Sequence, residues 1–210
     1  MWLIILFKPI QTLILAMISR NHPLAFPNPA CFTIWGIAIV LAFSLKSSDA
    51  GLLKYNKSIL RWFGIGTLAG IATAIFLGYP LSLQIDKSQI TQRPEIFSVL
   101  FSSIPGFLYQ LGYAAATEEP LFRGFLWGYL RKLKWRETWI WLFQAGLFTL
   151  GHIYYINKHP YSFWIVVPVG ALVMGAVAWR SRSIATSMAT HGALNTLGIK
   201  VGNIIAYYWR

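Results

Sequence analysis

The chain has 210 residues, with 18 Lys+Arg against 6 Asp+Glu and a formal net charge of +12. Only 11% of its positions are charged and 56% are hydrophobic, whereas a soluble domain carries about a quarter of its residues as charges. That is too little charge for an ordinary water-solvated surface, so the composition points to a membrane-embedded protein. One cysteine excludes an intrachain disulfide framework and a cysteine-rich zinc site.

A helix crosses a bilayer with about 20 apolar residues, so the intervals between charged residues mark the candidate spans. Residues 1–19 are interrupted by Lys8-Pro9 and have no basic region ahead of an apolar one. They read as a first span or an interfacial helix rather than a removed signal peptide. Residues 21–45 form the next interval, with Pro23, Pro27 and Pro29 moving the helix start to near Ala30. Residues 62–85 follow and carry Gly66 and Gly70, a Gly-x-x-x-Gly pair that suits close helix approach.

Residues 96–117 open a stretch that runs on to Arg131. At about 1.5 Å per residue this is too long for one straight crossing. Pro105-Gly106 and Pro120 are the expected breaks, because proline lacks the amide donor and crowds the preceding turn. Residues 139–157 and 159–179 come next, separated by the turn signal at 157–160, and residues 183–199 close the series. The pattern predicts an all-α fold, a polytopic membrane bundle of about seven to eight helices. With no internal repeat or long linker, residues 1–210 read as a single membrane-embedded domain.

The connections 46–61, 131–137 and 180–182 fall on one face of such a bundle. They hold Lys46, Lys54, Lys57, Arg61, Arg131, Lys132, Lys134, Arg136, Arg180 and Arg182. The opposite loops hold only Arg20, Lys87, Arg93 and Lys158. The positive-inside rule places the first set in the cytoplasm. The charge therefore reports topology, and no nucleic-acid partner is expected. Trp127, Tyr129, Trp135, Trp139 and Trp141 sit near one predicted boundary, as an interfacial aromatic belt would.

Ionisable groups at membrane depth are costly and mark chemistry or a pathway. The candidates are Glu118, Glu119 and Arg123, then His152 after Phe148, then His191 with Asn195. Glu119 and Arg123, Phe148 and His152, and His191 and Asn195 are each four residues apart, so each pair shares a helix face where the helix is continuous. Glu118 and Glu119 lie about 100° apart around a helix axis. One can face a cavity and accept a proton from water while the other pairs with Arg123. Structural readings compete with this. Glu118-Glu119-Pro120 is a plausible helix start, a single histidine such as His152 often bonds a backbone carbonyl, and His191 with Asn195 can join helices as polar glue. Three polar groups on three apolar segments find partners most cheaply by converging on one cavity. Together they suffice for water-mediated attack on an amide, with a glutamate as base, histidines beside the water or leaving nitrogen, and asparagine at the oxyanion.

Glu118-Glu119-x-x-x-Arg123, Phe148-x-x-x-His152 and His191-x-x-x-Asn195, in this order on successive apolar segments, resemble the CPBP family. That family comprises the type II CAAX prenyl endopeptidases and the bacterial Abi or bacteriocin-processing proteins. The resemblance covers roughly residues 96–199, a core of about 96–200, and includes the continuation Phe122-Arg123-Gly124. Pro120 departs from the aliphatic residue more usual there.

The resemblance implies an all-helical intramembrane peptidase, multi-pass in a bacterial plasma membrane, with its site toward the cytoplasm. Its partners would be the lipid bilayer and a membrane protein or peptide substrate, prenylated or not. Glu118 would activate water, Glu119 and Arg123 would orient the site, His152 and His191 would position water or act on the leaving group, and Asn195 would support the oxyanion. Two histidines and a glutamate also suffice as three zinc ligands with an open position. The family is also described as glutamate-dependent without bound metal, and the metal-free route is favoured because no His-Glu-x-x-His motif occurs. Two other functions compete: a non-catalytic bacteriocin-immunity or scaffold protein of the same fold, and a proton-coupled transporter. The transporter ranks last for want of paired repeats.

Overall fold

The computed structural model describes residues 57–90, 93–153 and 155–209. The elements expected at 1–19 and 21–45, and the cations Arg20, Lys46 and Lys54, lie outside the described residues. Every regular element among the described residues is helical.

Helix α1 (Lys57–Phe76) leads into a short α2 (Gly78–Ser82), and Asp86 caps a 3-10 turn (Lys87–Gln89) by accepting from the Ser88 amide at 3.0 Å. The next helical path is continuous from 96 to 132. It consists of α3 (Ile96–Gln110), a π-helical turn (Leu111–Ala115), α4 (Ala116–Glu119), a second π segment (Pro120–Leu126) and α5 (Trp127–Lys132). Then come α6 (Glu137–Leu150), α7 (Tyr155–Lys158), a π segment (Ser162–Val166), α8 (Val167–Ser181) and α9 (Ile184–Trp209).

Three boundaries differ from those the sequence predicts. Pro105 lies inside α3 and does not end it. The interruptions are the two π segments, the first without any proline and the second starting at Pro120, whose missing amide falls where the hydrogen-bond ladder already changes register. Residues 139–157 are divided, because α6 stops at Leu150 and a turn closes through the His152 amide to the Thr149 carbonyl at 2.9 Å. Helix α9 continues ten residues past the expected end at Ile199, to Trp209. It carries Lys200 within it because Nζ donates to Ser102 Oγ at 2.8 Å and Ser103 Oγ at 3.1 Å on α3.

The interior is polar by the standard of a soluble protein. Ser187, Thr186, Thr190, Gln144 and Glu119 are almost fully buried, while Phe97, Phe101, Ile104 and Leu108 of α3 are exposed, as are Leu60, Leu68, Ile75 and Phe76 of α1. Contiguous exposed apolar faces mark contact with something other than water, and lipid satisfies this one. Ser58–Phe76 and Ser162–Ser181 are long and apolar enough to cross a membrane by themselves, with mean hydropathy 1.6 and 1.9. Helices α3 and α6 have only 15 and 14 residues, and α9 spends its polar side chains on the interior.

Two glycines set the closest helix contact. A Cβ on Gly66 would lie 2.2 Å from the Thr186 carbonyl oxygen, and one on Gly70 would lie 2.4 Å from that of Thr190. Thr190 Oγ1 donates to the Gly66 carbonyl at 2.9 Å. The Gly-x-x-x-Gly pair thus seats α1 against α9 in parallel, as its spacing predicts. An aromatic cluster including Phe122, Phe125, Trp127 and Phe148 packs α5 and its preceding π segment on α6 and α8.

The basic connections meet at one end. Glu137 Oε1 accepts from Arg131 Nε at 2.7 Å and from Arg182 Nη1 at 3.0 Å, and Trp127 Nε1 donates to Glu137 Oε2 at 2.8 Å. The loops 131–137 and 180–182 therefore share a face, as their charge predicts. The first of them turns through Lys134 at φ 61°, with Trp135 N bonded to the Leu130 carbonyl and Lys134 N to that of Arg131, a Schellman closure built on lysine instead of glycine. At the far end Gln84 and Ser162 exchange hydrogen bonds of 3.0 and 3.1 Å, and Arg93 donates to the Tyr208 hydroxyl at 2.7 Å.

Candidate active site

Glu118 and Glu119 end α4, between the two π segments. The first π turn brings earlier residues into line with them. Gln110, Ala114 and Glu118 all line one cavity. At four-residue spacing an α-helix drifts about 40° per step, and the wider π turn takes up this drift.

Glu119 points into the protein and is fully buried. Its Oε1 accepts from Arg123 Nη1 at 3.1 Å and from His191 Nδ1 at 2.8 Å, and its Oε2 accepts from Ser187 Oγ. Arg123 also donates from Nη2 to the Ala171 carbonyl at 3.1 Å. Its guanidinium stacks 4.5 Å from the Phe148 ring centroid. Three elements meet at this carboxylate, which is acceptor-only when ionised. The partner nitrogen of His191 therefore carries its proton on Nδ1.

Glu118 faces the cavity. Its Oε2 lies 4.0 Å from His152 Nε2 and 4.0 Å from His191 Nε2. His152 Nδ1 donates to the Phe148 carbonyl at 2.9 Å, which turns its Nε2 toward Glu118. This is the carbonyl bond the structural reading of His152 expects, and it leaves the other nitrogen turned to Glu118. Phe148 holds both histidines, its ring centroid 4.7 Å from that of His152 and 6.0 Å from that of His191. The cavity measures 410 Å³ and is lined by Glu118, His152, His191 and Asn195 together with Gln110, Tyr155 and Ser162. Asn195 Nδ2 donates to Gln110 Oε1 at 3.3 Å across it.

All six residues singled out from the sequence thus meet in one place: Glu118, His152, His191 and Asn195 on the cavity, Glu119 and Arg123 directly behind it. Two neighbours escape a reading of the sequence. Ser187 precedes His191 by four residues and so shares its helix face, but serine is too frequent to stand out. Gln110 gives no signal at α-helical spacing, because the π turn places it.

The donor types suit zinc: two imidazoles, each held through Nδ1, and a carboxylate. The distances do not. At metal bonds of about 2.0–2.1 Å, two ligands of a tetrahedral zinc stand about 3.3 Å apart, whereas the Glu118 to histidine gaps are 4.0 Å. Among the described residues no three His, Cys, Asp or Glu side chains are placed to share one ion. As arranged, the site does not fit a zinc centre.

Comparison with known families gives a match over residues 99–197 to the type II CAAX prenyl endopeptidase Rce1-like model. No curated protein and no solved structure matches the chain. The matched region contains all three motifs and stops just past Asn195. Residues 99–197, whose polar side chains meet in the cavity described above, are thus similar to the membrane-embedded, Rce1-like type II CAAX prenyl endopeptidases, and the match supports the resemblance to the CPBP/CAAX protease family.

Proposed function

We propose that the chain is an intramembrane endopeptidase that hydrolyses a peptide bond of a membrane-associated protein or peptide by a glutamate-driven, metal-free route. The observation that carries this reading is the Glu118 carboxylate facing the Nε2 atoms of His152 and His191, 4.0 Å from each, in a cavity of 410 Å³. A gap of 4.0 Å admits a water between Glu118 and a histidine, donating to each at about 2.8 Å.

Glu118 takes a proton from that water as its oxygen bonds to the scissile carbonyl carbon. His152 or His191 accepts the water's other hydrogen at Nε2 and holds the water in line. The carbonyl oxygen becomes an oxyanion within reach of the Asn195 side-chain amide. Glu118 then hands its proton to the leaving nitrogen as the C–N bond breaks, which returns the carboxylate to its starting state. Glu119, Arg123 and Ser187 hold the His191 ring without touching substrate.

The chain is a single domain with about seven to eight crossings of a bacterial plasma membrane, counting the segments before Lys57 and the jointed helices. The end that carries Arg131, Lys134 and Arg182 faces the cytoplasm. The substrate is a peptide segment presented at the bilayer, prenylated or not.

The test is cleavage of a lipid-anchored, quenched-fluorescent peptide library by the purified full chain in vesicles. The expected result is cleavage by wild type and a loss of at least about 10³-fold in Glu118→Gln, the order expected when a base is removed and binding remains. Equal rates in both proteins overturn the assignment.

A further inference from the structure

We infer that Gln110 is a positioning residue for the same reaction: it orients the Asn195 carboxamide so that an N–H, and not the oxygen, faces the developing oxyanion. The inference rests on the peptidase reading above and extends it to a residue outside the three motifs.

A carboxamide has an acceptor side and a donor side of nearly identical shape. An asparagine serves an oxyanion only with its donor side turned inward, and the flipped orientation places a lone pair against the negative charge instead. Something must break that symmetry. Asn195 is exposed and lines the cavity, and its Nδ2 donates to Gln110 Oε1 at 3.3 Å. The nitrogen has two hydrogens. One is engaged by Gln110, and the other remains for the cavity that both residues line.

The position of Gln110 is itself a product of the fold. It is the last residue of α3, directly before the π turn Leu111–Ala115. That turn sets Gln110, Ala114 and Glu118 on the cavity, so the residue that aims the oxyanion donor and the base that activates water are fixed on the same helical path. Asn195 stands on α9, one turn beyond His191. The Gln110 to Asn195 bond is therefore also a strut across the mouth of the site, between the path that carries the base and the helix that carries the oxyanion donor.

The experiment uses full-length protein in vesicles and the peptide library above, with kcat and KM measured for Gln110→Leu, Gln110→Glu and Asn195→Ala. Leucine fills the volume of glutamine without an acceptor. Glutamate keeps the acceptor and adds charge. The expected result is a kcat lower by at least about tenfold in Gln110→Leu with KM unchanged, short of the ~10²–10³-fold cost of deleting an oxyanion donor outright. Gln110→Glu keeps most of the wild-type kcat. In the Asn195→Ala background Gln110→Leu costs nothing further, because the group it aims is gone.

A packing role predicts the reverse order, with leucine tolerated and glutamate harmful, and that order overturns the inference. So does a Gln110→Leu loss that adds in full to Asn195→Ala. If Gln110→Leu does not fold, as read by thermal unfolding, Gln110→Asn replaces it with the same expectations, being one methylene too short to hold the bond. Wild type that cleaves no peptide overturns the peptidase reading and this inference with it. Wild type that cleaves while Gln110→Leu matches it overturns this inference alone.

Discussion

Two adjacent glutamates carry opposite burdens. Glu119 is locked by Arg123, His191 and Ser187, and Glu118 is turned to the cavity. Removing one member of a buried ion pair leaves the other charge uncompensated, so Arg123→Ala is expected to destabilise the protein by about 3–5 kcal/mol. Ser187→Ala removes one hydrogen bond to a buried carboxylate and is expected to cost about 1–3 kcal/mol. Thermal unfolding in detergent checks both, with Glu118→Gln as the contrast: it is expected to abolish turnover while leaving the unfolding midpoint near that of wild type. The division of labour between Glu118 and Glu119 is legible in sequence because neighbouring residues on a helix point about 100° apart and only one of them is four residues from an arginine. Ser187 is not legible in that way. Its importance comes from which carboxylate it meets, and that is a fact of packing between α4 and α9.

Glycine separates close contact from open surface along α1. Gly70 has the Thr190 carbonyl 2.4 Å and the Ala193 Cβ 2.7 Å from where a methyl group would sit, while Gly64 has nothing within 4 Å. Gly70→Ala is expected to push α1 from α9 and cost about 1–3 kcal/mol. Gly64→Ala is expected to be neutral or to stabilise by about 0.5–1 kcal/mol through reduced backbone freedom. Paired melting curves of the two variants measure the difference. The Gly-x-x-x-Gly spacing made this contact readable before any coordinates. The π segments were not readable. Proline directs attention to Pro105, which α3 absorbs, whereas Leu111–Ala115 widens with no proline to mark it. The end of α9 is hidden in the sequence because Lys200 reads as a boundary, whereas Ser102 and Ser103 opposite it let the helix continue.

At the scale of the whole molecule, charge arranges the ends. Glu137 stands just outside the apolar run 139–157 and joins the loops before α6 and before α9. Partial burial works to raise its pKa, but hydrogen bonds from Arg131, Trp127 and Arg182 outweigh this and hold the carboxyl well below its usual value, at about 2 against 4.5. The cluster therefore contributes stability above pH 4.5 that is lost as pH falls toward about 2. Unfolding midpoints are expected to drop more steeply over that interval in wild type than in Glu137→Gln, and parallel curves would remove Glu137 from the account of acid sensitivity. Orientation is open to direct labelling. A cysteine at Lys134 is expected to react with an impermeant thiol reagent only after cells are permeabilised, and one at Lys87 in intact cells. The reverse pattern would invert the assigned topology.

The seat of α1 on α9 bears on how little of this chain could work alone. The family match begins at residue 99, yet the helix that presents His191 and Asn195 leans on Gly66 and Gly70 and accepts its nearest backbone neighbour from α1. A fragment cut to the matched boundaries would keep every motif and lose the wall behind two of them. A fragment that keeps this wall includes Gly66 and Gly70 of α1, and a segment without motifs thereby serves as a foundation for those that have them.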